Sequence, residues 1–65
     1  MEKIYKTLNK YRLSKNMSMA QFAKLIGVNY WTVYRALMGL NKPHDYHATK
    51  FKKYYSRHRK EMNEN

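Results

Sequence analysis

Apolar residues recur at helical spacing along almost the whole chain. Ile4, Leu8 and Tyr11 lie three to four apart with Lys3, Lys6, Lys10 and Arg12 between them, the period of one helix face. This predicts a first helix from about residue 2 to 14. Tyr5 and Leu13 fall off that face and read as surface positions open to a partner. Asn16 suits a left-handed residue just past a helix end. Ser18-Met19-Ala20-Gln21 fits a capping box, in which Ser18 accepts from a backbone N–H and Gln21 reaches back. Met17 and Phe22 are placed to form the accompanying hydrophobic staple. The second helix is then expected over about 19–26, ending at Gly27. Asn29 is a good N-cap for a third helix over about 30–38, which Gly39 ends. Pro43 disfavours helix at Lys42, so residues 40–43 form a loop. His44 or Asp45 starts a fourth helix, and Asp45 suits its first turn electrostatically. That helix carries Tyr46, Phe51, Tyr54 and Tyr55 to about residue 61, and Met62 to Asn65 are expected to fray. No stretch alternates like a strand, repeats or reads as a linker. The expected fold is all-α, a compact single domain of four helices over residues 1–65.

The third helix has two unlike faces. At about 100° per residue, Tyr30, Trp31, Tyr34, Arg35 and Met38 share an arc of roughly 140°. Val33, Ala36, Leu37 and Leu40 fall in the opposite arc, between roughly 240° and 340°. The aliphatic arc is expected to face the core. The aromatic and basic arc then faces outward, and an exposed apolar patch marks an interaction site. The alternative is that the first or fourth helix buries Trp31 and Tyr34.

Charge changes the picture. Fourteen Lys and Arg oppose four acids, a net charge of +10 in 65 residues. Such a chain attracts polyanions, nucleic acid first and an anionic membrane surface second. Residues 18–38 carry only Lys24 and Arg35. The fourth helix carries Lys50, Lys52, Lys53, Arg57, Arg59 and Lys60 with no acid among them. Electrostatic affinity is therefore expected from the first and fourth helices. Neutralising about six phosphates would give a log–log salt slope near −5. The plainer alternative is a solvated charged face. Phe51, Tyr54, Tyr55 and His58 lie along another side of the fourth helix and are expected to cap the core, or else to form a dimer interface.

Several chemistries are set aside. There is no Cys, so neither a disulfide nor a thiolate metal site is expected. His44 and His47 are three apart, but no Cys and few carboxylates are near, which argues against a metal site. His58, between Arg57 and Arg59, reads as a surface residue or a phosphate contact. Asp45 is the only acid between Lys3 and Lys60, which argues against paired-carboxylate catalysis. Ser14, Ser18 and Ser56 sit in no nucleophile motif, and no glycine-rich phosphate loop exists. No enzymatic activity and no cofactor are expected. The charged first 15 residues read as no signal peptide. No run approaches the roughly 18 apolar residues of a membrane span. The expected location is cytoplasmic, at the nucleoid when bound.

Ser18, Ala23, Gly27, Val33, Gly39 and Pro43 stand at the spacings of the lambda-repressor and Cro type of helix-turn-helix domain. The resemblance extends back to Leu8, Arg12, Asn16 and Met17 and covers about residues 4–43, with the helix-turn-helix unit at 18–38. It implies that Ala23 and Gly27 let the two helices approach closely and that Val33 locks them together. It implies that Asn29, Tyr30, Trp31, Tyr34 and Arg35 face bases or nearby phosphates in the major groove. Arg35 suits guanine, Asn29 suits adenine, and the rings suit thymine methyls. It further implies phosphate contacts from the start of the second helix (Ser18, Met19, Gln21) and from Asn41 and Lys42. Lys50, Lys52, Lys53 and Arg57 add phosphate contacts by charge. Where the family often has a Gln that helps hold phosphate and base, this chain has Met19, which lacks that side-chain contact and leaves only the backbone N–H groups available there. One long basic helix, about 45–61, stands where the family usually has two short ones.

The resulting expectation is a sequence-specific, double-stranded DNA-binding transcriptional regulator of bacterial or phage type. Two alternatives stay open. One is a protein-binding module, such as a host-polymerase inhibitor or an antitoxin, using the same aromatic face, since Trp, Tyr and Arg are enriched at interface hot spots. The other is a non-specific nucleic-acid binder driven by charge. A homodimer on paired half-sites is also left open.

Overall fold

The computed structural model describes residues 3–62. They form four helices: α1 (Lys3–Ser14), α2 (Met19–Ile26), α3 (Tyr30–Leu37) and α4 (Asp45–Met62). Among the described residues there is no strand. The expected start of the first helix at Glu2 and the expected fraying of residues 63–65 lie outside the described residues.

The chain reverses at three left-handed residues, Asn16 (φ 56°), Gly27 (φ 84°) and Gly39 (φ 76°). Each is followed by an N–H that bonds back five residues: Met17 to the Arg12 carbonyl, Val28 to that of Ala23, and Leu40 to that of Arg35. These bonds satisfy carbonyls that a helix end leaves unpaired. The next helices start from side-chain caps. The Ser18 hydroxyl accepts from the Gln21 N–H at 3.0 Å, and the Gln21 carbonyl oxygen accepts from the Ser18 N–H at 2.9 Å. Asn29 Oδ1 accepts from the Thr32 N–H at 2.9 Å. Arg12 braces the first turn by donating to the Met17 carbonyl at 3.0 Å and to Asn9 Oδ1.

Each helix supplies a large, fully buried side chain: Leu8, Phe22, Val33 and Phe51. Ala23, Ile26, Val28, Ala36 and Leu37 complete the centre. Apolar packing is the main source of stability in a chain with no cross-link.

Four expectations are corrected. Tyr5 is buried, at 4% exposure. It meets Phe51 edge-on, with ring centroids 5.2 Å apart and an interplanar angle of 89°. Packing of α4 alongside α1 turns the buried face by one position, so Tyr5 leads it and Ile4 is only half-buried. Leu40 is 62% exposed, because Gly39 reverses the chain before it can continue the aliphatic arc of α3. Met62 does not fray; it is helical and 4% exposed. Gly27 does not mark a close helix approach. A Cβ there would meet only Lys50 Nζ, at 4.0 Å, so its left-handed backbone is what favours glycine.

α4 is not uniform. His58 departs from helical geometry (φ −110°, ψ 16°), and the last turn beyond it holds Glu61 against α1. The Tyr11 hydroxyl donates to Glu61 Oε1 at 2.7 Å. That bond and the burial of Met62 anchor the helix end that the sequence leaves free.

Candidate nucleic-acid interface

The aliphatic side of α3 is buried through Val33, Ala36 and Leu37. The opposite side therefore faces out. Trp31 is 59% exposed, Tyr30, Arg35 and Met38 are exposed, and Tyr34 is half-buried. Neither α1 nor α4 covers Trp31. The three rings pack on one another instead. Tyr30 and Tyr34 stack with centroids 6.2 Å apart and planes 13° from parallel. Trp31 stands edge-on to both, at 5.1 Å and 5.8 Å. Such contacts stiffen a projecting aromatic ridge, with Arg35 one helical turn along from Trp31.

Several expected contact residues already have intramolecular work. Asn29 Oδ1 caps α3, so a bidentate adenine contact would have to share that oxygen. Ser18 and Gln21 satisfy each other at the start of α2. Met19 packs partly against the core. Lys50 donates from Nζ to the Gly27 carbonyl at 3.0 Å and lies 4.9 Å from the Tyr46 ring centroid. Its expected place among free phosphate contacts is thus taken by a tie to the turn between α2 and α3.

The remaining cations fall into separate groups. Lys53 and Arg57 are exposed and, with Lys50, border a groove of about 230 Å³ along Leu25 and Ile26 at the end of α2. Lys52 is exposed too, but it is turned about 100° from Lys53. Arg35, Asn41 and Lys42 come together around a pocket of about 120 Å³ completed by Thr32, Pro43, His44 and His47. The sequence argues against a metal site at the two histidines. Their position at the start of a helix, directly after Pro43, is the signal that places them beside the loop.

The far end of α4 carries its own charge cluster. Burial pushes the Tyr11 hydroxyl well above the usual tyrosine range, and its hydrogen bond to Glu61 adds to this. The same hydrogen bond holds the Glu61 carboxyl below its usual range, with help from His58 and Lys15. Lys15 Nζ is 3.7 Å and His58 Nδ1 3.5 Å from the Glu61 oxygens. His58 stacks on Tyr54, with centroids 4.3 Å apart, and is half-buried. Tyr54 is raised as well, mainly by burial. This cluster fixes the turn bearing Arg59 and Lys60.

Among the described residues, no helix is long and apolar enough to cross a membrane. No protein-family model matches the chain, and neither a curated protein nor a solved structure similar to it was found.

Proposed function

We propose that the chain is a helix-turn-helix domain of the lambda-repressor and Cro type and binds double-stranded DNA sequence-specifically as a transcriptional regulator. The observation that carries this reading is the outward ridge of Tyr30, Trp31, Tyr34 and Arg35 on a short helix whose other side is locked by Val33. A helix so held presents base-contacting side chains at fixed geometry in the major groove. Arg35 supplies the bidentate donor for guanine, and the rings supply apolar contacts to thymine methyls. Net charge +10 supplies non-specific affinity through phosphate neutralisation.

Selection from random duplex DNA, followed by salt titration on the selected site, tests the reading. Arg35→Ala is expected to cost about 1–3 kcal/mol on the best site and to relax specificity there, whereas Lys52→Ala weakens all duplexes about equally. Binding of every sequence by Arg35→Ala as tightly as by the parent would overturn it. Exposure of the large Trp31 ring also favours a second reading, a protein-binding module. A stoichiometric partner that survives nuclease and high salt would support that one instead.

A further inference from the structure

The ridge on α3 offers more than a regular duplex can use. Inside a duplex the faces of the bases are covered by their neighbours, and only base edges meet a groove, where hydrogen bonds and methyl contacts read them. The ridge is rich in ring faces instead. Trp31 is 59% exposed and Tyr30 41%. Both ring contacts of Trp31 are perpendicular, at 87° to Tyr30 and 81° to Tyr34. Among the described residues no parallel ring covers the indole. Its direction is fixed while most of its surface stays open. An exposed apolar patch of this kind marks a binding site, and charge says what fits it. α3 carries no acid, and the net charge of +10 draws a polyanion. Arg35 is exposed one turn beyond Trp31, and its planar guanidinium both pairs with phosphate and stacks. A polyanion that also presents flat apolar faces is a nucleic-acid strand with unpaired bases.

We propose that Trp31 stacks on an unpaired base and that the ridge binds single-stranded nucleic acid, a ligand class beyond the duplex. Tyr30 extends the platform toward a neighbouring base, and Arg35 meets the phosphate backbone. Every base has a face, so stacking needs no hydrogen-bond code and tolerates many sequences. The ridge is shared with the proposed duplex reading, but the stacking does not rest on that reading. A duplex and a single strand compete for the same rings.

The test uses the full chain with a thymidine oligonucleotide of about 10 nucleotides, its uridine ribonucleotide counterpart, and an abasic phosphodiester chain of equal length and charge. Trp31 is the only tryptophan, so its fluorescence reports on the ridge directly. The base-bearing strands are expected to quench it. They should bind about 5- to 150-fold more tightly than the abasic chain, the worth of one stacked base. All probes carry the same phosphates, so this ratio should hold as salt rises while each affinity falls. Anisotropy of labelled probes then compares variants whose fold is checked by circular dichroism. Trp31→Ala should lower the ratio about fivefold or more, and Trp31→Phe should keep most of it. A preference between the thymidine and uridine strands shows which backbone the site favours. Equal affinity for the abasic chain, or an unchanged ratio in folded Trp31→Ala, overturns the inference. Selection of a duplex together with equal thymidine and abasic binding removes the stacking alone. Selection of no duplex with the ratio intact removes the duplex reading alone.

Discussion

Lys50 reaches from the second turn of α4 to donate to the Gly27 carbonyl at 3.0 Å, in the turn between α2 and α3. The carbonyls at a helix end lack partners, and a cation there also meets the negative pole of the dipole. The long basic helix is thereby tied to the unit that carries the aromatic ridge. A lysine that charge alone assigns to DNA has a structural role.

Lys50→Met is therefore expected to lower stability by about 1 kcal/mol or less, the net worth of one exposed hydrogen bond. Urea denaturation measures it. The salt slope of duplex binding should stay the same. A slope smaller by about 0.9 would instead put Lys50 on a phosphate.

Gly27→Ala tests what the glycine is for. The space beside it is open, but its φ of 84° costs a residue with a Cβ about 1–2 kcal/mol. Gly27→Asn should cost less, because Asn tolerates the left-handed region better. Equal melting temperatures for the three proteins would refute a conformational role.

The contact between Tyr11 and Glu61 makes stability fall in acid. The folded-state pKa of Glu61 is lowered, so its contribution is present above the unfolded value and lost as pH falls through the folded one. The loss therefore sets in below the ordinary carboxylate range. Glu61→Gln should lower stability near neutral pH and flatten the decline on the acid side. Melting curves across that range give the comparison, and an unchanged acid limb in the variant would contradict it.

Trp31→Ala separates binding from folding. The ring is mostly exposed and packs only within the aromatic ridge in the contacts described above, so stability should change by about 0.5 kcal/mol or less. Binding to the selected duplex should fall at least tenfold, about 1.4 kcal/mol. Strong destabilisation with binding retained would show that the ridge is structural.

Phe51→Ala should do the reverse. Phe51 is fully buried and meets Tyr5 edge-on. A large-to-small change of this kind costs about 3–5 kcal/mol, a large share of the stability of a small domain. Circular dichroism at ordinary temperature should report a largely unfolded chain.

The helix boundaries were legible because the signals that set them are local. Ser18 with Gln21, Asn29 with Thr32, and the left-handed Asn16, Gly27 and Gly39 act within a few residues. The two faces of α3 were legible for the same reason, since a helical period fixes which side chains lie together. The choice between Ile4 and Tyr5 was not, because both suit a helix and only the position of Phe51 on α4 decides between them. Leu40 lies on the aliphatic arc by angle alone, but Gly39 ends the helix before that arc reaches it.

The sequence by itself determined four helices, their caps, the aromatic ridge and the strongly positive charge. These follow from backbone geometry and side-chain spacing, which need no partner distant in the chain. Only the tertiary structure decided which cations are occupied and which gather. It placed Lys50 on the Gly27 carbonyl, Glu61 on Tyr11, and Arg35 with Lys42, His44 and His47 around one pocket. Each depends on how separate helices pack, and packing sets distances that no local pattern encodes.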